Sequence, residues 1–244
     1  MIGSEIAILM AAGLGSRLRP VTNNMPKPLV KINGKPMIET LIDGLILRGI
    51  QKFIVVTGYL SNKFEYLKKI YSNIEIVYNP DYISVNNISS IKTVTPILTN
   101  TNSDVFICEA DLYIKDKNIF DCDLDSSCYF GKMVRGYSGD WVFELNSEGK
   151  ITRVGKSGRD VFNMVGISYF KNEDAKKLAM MIDKSYGIEG YENLFWDEVV
   201  NQNLDKLALT VHEIFENQIF EIDTVEELSE LDPSYNCYLA NKNI

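Results

Sequence analysis

The feature that most constrains this chain is a loop of small and basic residues that follows its first apolar segment. Residues 6–10 read IAILM, and residues 11–20 continue as AAGLGSRLRP. This order predicts a buried strand that ends in a loop, where two glycines let backbone N–H groups approach anionic oxygens closely. Arg17 and, further along, Lys27 between two prolines add full positive charge. The segment therefore predicts a site for the phosphates of a nucleotide.

Two better-known phosphate loops do not fit this segment. It has no Gly-Lys-Ser/Thr tripeptide of a Walker loop, and Leu18 stands where a dinucleotide fingerprint has its third glycine. The glycines alone also fit an ordinary turn after the first strand of an α/β domain. The added arginines, the flanked lysine and a loop of about twenty residues, long for a plain connection, favour the phosphate site.

The charge distribution favours a small anion over a polymer as the partner. The chain has 244 residues, of which 45% are hydrophobic, and a net charge of −8. This length can bury the core of one α/β domain. Residues 1–40 carry five basic and two acidic side chains, a net charge of +3, so the remaining 204 residues carry −11. A positive region on an acidic body argues against nucleic acid or an anionic membrane surface as a partner.

Cysteine usage, the histidine and hydropathy exclude further classes. The four cysteines show no C-x-x-C spacing, which predicts reduced thiols in a cytoplasmic protein. His212 is the single histidine, and its alternating surroundings predict a structural residue and exclude a histidine-based triad. No apolar stretch reaches about 18 residues, and residues 1–5 lack the basic start of a signal peptide, so no membrane span is expected.

Short β-rich runs alternate with helical patterns through the first half of the chain. Four segments are expected as strands that are apolar on both faces, at residues 6–11, 53–57, 74–78 and 105–108. Three segments have helical spacing, at residues 37–46, 61–71 and 86–98. Gly49 would end the first helix, Ser61 could cap the second, and Pro96 would bend or end the third. This repetition predicts a mostly parallel sheet with helices on both sides.

From about residue 127 the pattern changes to closely spaced strands with Gly, Ser and Asn turns, as in an antiparallel addition. These strands are expected at residues 128–134, 141–145, 151–154 and 165–170. Helices at 173–186 and 194–201, strands at 207–213 and 218–222, and a helix at 225–231 are expected to follow. The chain shows no internal repeat or linker, so we expect one domain over residues 1–231 and a polar tail at 232–244.

Acidic side chains follow apolar strands at the carboxyl ends, where such sheets bind ligands. Glu109 and Asp111 end one strand and lie on the same side if the strand stays extended. Asp223 follows another apolar segment. Carboxylates opposite a phosphate loop are suited to Mg²⁺ bound to a triphosphate. The structural alternatives are a solvated turn for the first pair, and a helix cap formed by Asp223 or Thr224.

Residues 9–20 (LMAAGLGSRLRP) with residues 26–29 (PKPL) resemble the signature of nucleoside-triphosphate transferases that act on sugar phosphates and related phosphates. Within that superfamily the chain is most similar to the bacterial CTP:phosphocholine cytidylyltransferases. Further matching segments cover most of the chain, at residues 57–60, 82–90, 109–111, 141, 165–168, 195–197 and 219–223. The fold that this resemblance implies is α/β, a Rossmann-like nucleotidyltransferase fold with a mostly parallel central sheet and a small antiparallel addition.

The resemblance implies a function for each matched site residue. Arg17 and Lys27 would be catalytic, and Asp111 and Asp223 would bind Mg²⁺ as the cofactor. The nucleotide would be bound by Ala11, Ala12, Gly13, Gly15, Ser16, Gly58, Asn86 and Ser89. The choline pocket, within an acceptor-binding part at about residues 127–223, would be formed by Trp141, Phe195 and Glu221. Glu109 stands where the family usually has aspartate, and Phe195 where tyrosine is frequent.

The implied reaction transfers a cytidylyl group from CTP to phosphocholine and releases pyrophosphate. The second pKa of a phosphomonoester is about 6, so its oxygen is already an anionic nucleophile and needs no catalytic base. Mg²⁺, Lys27 and Arg17 would stabilise the charge that develops during in-line attack on the α-phosphate. A quaternary ammonium would be recognised by aromatic faces and a carboxylate. Trp141 and Trp196 fit core positions equally well.

Three other functions stay open on the sequence alone. A 2-aminoethylphosphonate cytidylyltransferase would need hydrogen-bond acceptors for a primary amine, and a sugar-1-phosphate nucleotidyltransferase would bind a sugar. A non-catalytic nucleotide sensor is the alternative from a different class. The joint presence of Arg17, Lys27, Asp111 and Asp223 argues against a sensor. The sequence does not predict the oligomeric state, the downstream pathway or the choice between CTP and UTP.

Overall fold

One seven-stranded sheet organises the computed structural model, which describes residues 4–240. The strands are β1 (Glu5–Ala11), β2 (Lys31–Ile32), β3 (Lys35–Pro36), β4 (Lys52–Thr57), β5 (Ile74–Tyr78), β6 (Asp104–Glu109), β7 (Leu112–Ile114), β8 (Cys128–Leu145), β9 (Ile151–Phe170), β10 (Thr210–Ile214) and β11 (Ile219–Glu221). The α-helices are α1 (Met37–Arg48), α2 (Leu67–Ile70), α3 (Ile88–Asn100), α4 (Asn172–Ser185), α5 (Trp196–Asn201), α6 (Val225–Leu231) and α7 (Asn236–Ala240).

The sheet has a parallel half and a mixed half, in the order β10-β8-β9-β6-β1-β4-β5. Strands β6, β1, β4 and β5 are parallel to one another. Strand β9 pairs antiparallel with β6 and with β8, and β10 pairs parallel with β8. The predicted fold, a mostly parallel central sheet with an antiparallel addition, is confirmed. Two short antiparallel pairs, β7 with β11 and β2 with β3, lie outside this sheet.

Alternate residues of β1 belong to two separate hydrophobic clusters. Ile6 and Ile8 pack in a cluster with buried residues of α3, α4 and α5. Ala7 and Leu9 pack in a second cluster with the apolar side of α1. Because both faces of β1 are covered, its apolar side chains are almost fully buried. Burial of each large aliphatic side chain contributes about 1.5–3 kcal/mol to the stability of the fold. Helix α1 ends at Gly49, which has a φ of 101°, as the sequence predicted.

Three elements of the first half differ from the expectation. Strand β5 is only partly buried, because it lies at the edge of the sheet. The predicted helix at 61–71 is divided into a 3₁₀ turn, Ser61–Phe64, and the short α2. Ser61 does not cap this turn, since its hydroxyl bonds to the hydroxyl of Thr57 at 2.8 Å.

Helix α3 continues through Pro96 to Asn100, where the sequence predicted a bend or an end. Proline has no N–H for the carbonyl four residues earlier, that of Lys92. The hydroxyl of Thr95 donates to this carbonyl oxygen at 3.1 Å. The helix also packs against the core through Ile91, Val94 and Leu98, which favours its continuation.

The predicted four strands after residue 127 are parts of two long strands, β8 and β9. Their pairing shifts register between Val134 and Tyr137 and again between Ser138 and Trp141. Val142 then pairs with Gly155 on one side and with Asn163 on the other. Bulges bend a strand without ending its pairing, which is why glycines and serines resembled turns in the sequence.

The segment after α6 packs on a third hydrophobic cluster. Tyr235, Tyr238 and Leu239 contact a group that contains Leu18 of the glycine loop and Ile222. The hydroxyl of Tyr235 donates to the carbonyl of Lys31 at 2.8 Å. The domain boundary at residue 231 stays a prediction. No helix among residues 4–240 is long and apolar enough to cross a membrane.

Candidate active site

The predicted phosphate loop lies at the edge of the sheet where the carboxyl ends of β1, β4 and β6 meet. In the parallel register, Ala11 lies opposite Thr57 of β4, and Met10 lies opposite Glu109 of β6. The N–H of Tyr59 donates to the carbonyl of Ala12 at 3.1 Å, and the N–H of Ala110 to that of Met10 at 3.1 Å. The loop after β1 therefore starts beside the ends of both neighbouring strands.

Gly15 lets the loop turn back onto Lys27. It has a φ of 60°, and a Cβ atom there would lie 2.9 Å from the Cβ atom of Lys27. The hydroxyl of Thr22 donates to the Gly15 carbonyl at 2.8 Å and holds this turn. A larger residue at position 15 would thus meet both backbone strain and a steric clash.

Lys27 is the centre of an ion-pair cluster. Its Nζ lies 2.6 Å from Oδ2 of Asp111 and 2.7 Å from Oδ1 of Asp223. Nη1 of Arg17 lies 2.8 Å from Oδ2 of Asp223. The side chain of Lys27 is only 8% exposed, whereas that of Arg17 is 70% exposed. Burial alone would lower the pKa of Lys27, but the two carboxylates outweigh it and raise this pKa above its ordinary value.

Asp223 reaches Asp111 because the short strands β7 and β11 pair. Their antiparallel register places Glu221 opposite Leu112, the residue that follows Asp111. The cap of α6 is formed by Thr224, whose Oγ1 accepts from the N–H of Glu227 at 3.2 Å. The carboxylate of Asp223 is thereby left for Lys27 and Arg17.

A cleft of about 300 Å³ lies between the glycine loop and this cluster. Its lining comprises Met10, Ala11, Gly13, Leu14, Gly15, Ser16, Arg17, Leu18, Lys27, Pro28, Tyr82, Asp111 and Asp223. Most of the predicted nucleotide-binding loop is part of this lining. Tyr82 was not assigned from the sequence, although it opens one of the segments that carry the resemblance.

Gly58 packs beneath this cleft. A Cβ atom at Gly58 would lie 2.5 Å from Cγ of Tyr82 and 2.7 Å from the carbonyl oxygen of Ala12. At these distances no residue with a Cβ atom fits at position 58 unless its neighbours move. The position therefore supports the wall of the cleft through close packing.

Asn86 and Ser89 form hydrogen bonds within the protein. The buried hydroxyl of Ser89 donates to the Asn86 carbonyl and accepts from Nδ2 of Asn79, each at 2.8 Å. Asn86 donates from Nδ2 to the Asn193 carbonyl at 3.2 Å. The lining of the cleft includes neither residue. Their participation in nucleotide binding stays a prediction.

Two glutamates lie beside the aspartates of the cluster. Desolvation and the negative charge of Asp111 raise the pKa of Glu109 well above its ordinary value. Atoms packed around the Glu221 carboxyl, together with Asp111 and Asp223, raise its pKa to about 7, although the residue keeps an exposed surface. A raised pKa weakens a carboxyl group as a ligand for a divalent cation, because the ionised form is the one that binds.

A small cavity adjoins the cleft at Met10 and contains another carboxyl group. It is lined in part by Glu109, Trp196 and Asp197. Asp197 is buried and accepts a hydrogen bond from the hydroxyl of Tyr129 at 3.0 Å, and burial raises its pKa to about 7. Trp196 stacks on Tyr129, and its buried Nε1 has no hydrogen-bond partner in the described residues. Sequence reasoning assigned no function to Asp197, although it follows the predicted Phe195.

Trp141 and Phe195 form an aromatic pair, with ring centroids 5.3 Å apart. Both residues are partly buried. Glu221, the third residue predicted for the acceptor pocket, interacts electrostatically with Asp111 and Asp223. Its participation in acceptor binding stays a prediction. Trp196, by contrast, is a core residue.

The donor set is compatible with a Mg²⁺ site that the substrate completes. Asp111 and Asp223 supply hard carboxylate oxygens. One oxygen of each contacts the same nitrogen atom, Nζ of Lys27, so the two carboxylates are close together. Within residues 4–240, no group of three or more His, Cys, Asp or Glu side chains could hold a metal by itself. Mg²⁺ in nucleotide enzymes is typically held by one or two carboxylates together with substrate phosphates and water.

Comparison with known proteins identifies the family. The nucleotidyl transferase family matches residues 6–122. A 2-aminoethylphosphonate cytidylyltransferase of Lancefieldella rimae is 47% identical over 94% of this chain and 92% of its own length. A choline-phosphate cytidylyltransferase of Streptococcus pneumoniae is 36% identical over 93% of this chain and 96% of its own length.

Solved structures agree with these relatives. The CTP:phosphocholine cytidylyltransferase of S. pneumoniae superposes with a TM-score of 0.85 at 33% identity, and the match covers 95% of this chain and 99% of that one. An inositol-1-phosphate CTP transferase of T. maritima shares the fold, with a TM-score of 0.74 at 19% identity over 96% of this chain and 94% of that one. Because relatives of high identity match nearly the whole chain, it belongs to the nucleotidyl transferase family and is a cytidylyltransferase.

Proposed function

We propose that this cytidylyltransferase uses 2-aminoethylphosphonate as its acceptor and CTP as its donor. The observation that carries this proposal is the 47% identity, over nearly the full length, to a relative with that activity. Identity to the choline-phosphate enzyme of S. pneumoniae is 36% over a similar length. The acceptor predicted first from the sequence was phosphocholine, and the similarity favours the alternative.

The proposed reaction needs no catalytic base. A phosphonate oxygen, anionic at neutral pH, attacks the α-phosphorus of CTP in line, and a new P–O bond forms. The bond to the β-phosphate breaks, and pyrophosphate leaves with its electron pair. The products are the cytidylyl ester of the phosphonate and pyrophosphate. No histidine is required, in agreement with His212, which lies in β10 against Phe130.

Lys27 and Arg17 stabilise the negative charge of the triphosphate and of the leaving pyrophosphate. Both are basic side chains that line the cleft. They neutralise Asp111 and Asp223 before the nucleotide binds, so their ion pairs must open when phosphates arrive. Mg²⁺ held by Asp111 and Asp223 would supply further charge neutralisation at the phosphates.

The carboxyl groups beside the cleft are suited to a primary ammonium. Such a group has three N–H donors and needs acceptor atoms, whereas a trimethylammonium has no N–H donor. Glu221 and Asp197 lie near the cleft and near the small cavity, respectively. In this proposal Glu221 accepts from the amine, and Trp141 with Phe195 forms an apolar wall of the acceptor site.

Steady-state kinetics of pyrophosphate release test the proposal. The acceptors are 2-aminoethylphosphonate, phosphocholine and glucose 1-phosphate, each with CTP and with UTP. We expect the highest kcat/KM for 2-aminoethylphosphonate with CTP. A higher value for phosphocholine would replace the proposed acceptor, and a higher value for the sugar phosphate would also remove Glu221 from an amine site. Binding of CTP without turnover of any acceptor would indicate a nucleotide sensor.

A further inference from the structure

A lysine already lies on the aromatic pair of Trp141 and Phe195. Nζ of Lys156 is 5.8 Å from the ring centroid of Trp141 and 5.6 Å from that of Phe195. Both distances are within the range of about 6 Å at which a cation is attracted to an aromatic face. The chain itself thus places a cation where a quaternary ammonium would contact these rings.

The position of Lys156 follows from the pairing of β8 with β9. In that register Lys156 lies directly opposite Trp141. Cross-strand partners have side chains close together on the same face of a sheet, so the strand register makes the lysine and the indole neighbours. The second ring belongs to Phe195, the residue that directly precedes α5. Three elements therefore converge on the ammonium group.

No carboxylate among residues 4–240 lies within ion-pair distance of the Lys156 ammonium. The ion pairs of this part of the chain involve other lysines and arginines. The rings are consequently the identified partners of this charge. A second cation that approached them would be repelled by an unneutralised ammonium.

Along the chain, Phe195 of the aromatic pair adjoins residues that line the small cavity beside the cleft. Phe195 directly precedes Trp196 and Asp197, which line the small cavity with Glu109. That cavity shares Met10 with the cleft of the glycine loop. As a wall of the proposed acceptor site, the aromatic pair places Lys156 at that site.

We propose that Lys156 determines acceptor specificity by occupying the faces of Trp141 and Phe195, which excludes acceptors with a quaternary ammonium. This inference rests on the proposed function and extends it to a residue that discriminates between acceptors. A primary ammonium avoids the exclusion because it hydrogen-bonds to carboxylates and does not depend on aromatic faces. Specificity of this kind arises from repulsion of the wrong substrate as well as attraction of the right one.

The test is the substitution Lys156→Met, which removes the charge and keeps an unbranched side chain that packs well on aromatic rings. We expect kcat/KM for phosphocholine to rise about tenfold or more through a lower KM, since the ammonium that repels a second cation at the rings is removed. The value for 2-aminoethylphosphonate should change less than about threefold. Lys156→Gln should act in the same direction.

A second readout is independent of turnover with phosphocholine. Tetramethylammonium should inhibit the reaction of 2-aminoethylphosphonate in Lys156→Met but not in the wild type. Lys52→Met is the matched control, because Lys52 is also exposed and lies at the start of β4, at the opposite end of the parallel strands. This control should keep the wild-type preference and resistance to tetramethylammonium.

The outcomes separate the two proposals. In one outcome the wild type prefers 2-aminoethylphosphonate, and Lys156→Met changes neither the KM for phosphocholine nor the inhibition by tetramethylammonium. The inference about Lys156 is then wrong, and the proposed function stands. If the wild type prefers phosphocholine, the proposed function fails, and with it the exclusion by Lys156. A melting temperature equal to that of the wild type shows that a changed preference does not come from misfolding.

Discussion

Lys27 lies between two carboxylates that come from distant parts of the chain, and much of the site's chemistry depends on this contact. The side chain is almost completely buried, so its charge requires compensation, and Asp111 and Asp223 provide it. The same two carboxylates are the candidate metal ligands. Lys27 therefore acts as an internal counter-ion for the site before substrates bind.

Lys27→Met should lower kcat about 10²–10³-fold, the usual effect of losing one charged group that stabilises the reacting phosphates. The same change leaves Asp111 without a counter-ion and Asp223 with Arg17 alone, so Mn²⁺ should bind more tightly in the absence of nucleotide. Calorimetric titration with Mn²⁺ measures this second effect. Lys31→Met, at an exposed lysine of β2, should alter neither quantity. Unchanged Mn²⁺ affinity would contradict the counter-ion explanation.

Asp197 gives the protein a pH-dependent stability. Its pKa is about 7 in the folded protein and about 3.9 in an unfolded chain, so the folded state binds more protons between these values. The contribution of Asp197 to the free energy of unfolding should therefore fall by about 1.4 kcal/mol per pH unit as the pH rises from about 4 to about 7, and then level off. Urea unfolding of the wild type and of Asp197→Asn across this range measures the effect. Identical pH profiles would show that Asp197 is not the group responsible.

At the scale of elements, two sets of strand pairings assemble the site, those of β1 and that of β11. Strand β1 is hydrogen-bonded between β4 and β6, so the glycine loop starts next to Tyr59 and Ala110. Strand β11 pairs with β7 and brings Asp223 to Asp111. The Glu227 carboxylate also accepts from the N–H of Asp223 at 2.8 Å, so the first turn of α6 helps to hold this residue. None of these pairings is between strands that are neighbours in sequence.

The glycines of the loop and of its support should respond differently to alanine. Gly58→Ala should destabilise the protein by about 1–3 kcal/mol, because the added methyl meets Tyr82 and the Ala12 carbonyl. Gly13→Ala should keep the wild-type melting temperature, because a Cβ atom there meets nothing within 4 Å. If the open space at Gly13 holds the triphosphate, this variant should bind CTP more weakly. Normal CTP affinity of Gly13→Ala would remove Gly13 from the nucleotide site.

At the scale of the whole molecule, the carboxy-terminal segment and the site share one hydrophobic cluster. Leu18 of the glycine loop and Ile222, between Glu221 and Asp223, pack in the cluster that Tyr235 and Tyr238 cover. The N–H of Asn33 also donates to Asp232 at 2.8 Å. The terminal segment thus contacts residues that support both the glycine loop and Asp223.

Removal of residues 232–244 should lower stability by roughly 2–5 kcal/mol, since partly buried aromatic and aliphatic side chains are lost from this cluster. The activity at a temperature where the shortened chain is folded should also fall, because Leu18 and Ile222 lose support. Differential scanning calorimetry and pyrophosphate release measure these effects. Cys237→Ser, an exposed change in the same segment, is the control. An unchanged melting temperature would show that this segment does not stabilise the cluster.

Elements with strong local signals could be predicted from the sequence. The strands β1, β4 and β6, the helix α1 with its end at Gly49, and the glycine loop all follow from residues close together in the chain. Elements that depend on tertiary contacts were predicted less well. The passage of α3 through Pro96 needs the hydroxyl of Thr95 and core packing, and the continuity of β8 needs pairing on both sides.

The sequence by itself determined that a basic glycine loop follows a buried strand and that acidic residues follow other strands, because local order sets strand ends and their polar residues. It also contained the resemblance that implies nucleotidyl transfer. Only the tertiary structure decided that Lys27 joins Asp111 to Asp223 and that Lys156 lies on Trp141 and Phe195. These contacts connect residues far apart in the chain, and strand register and packing select them.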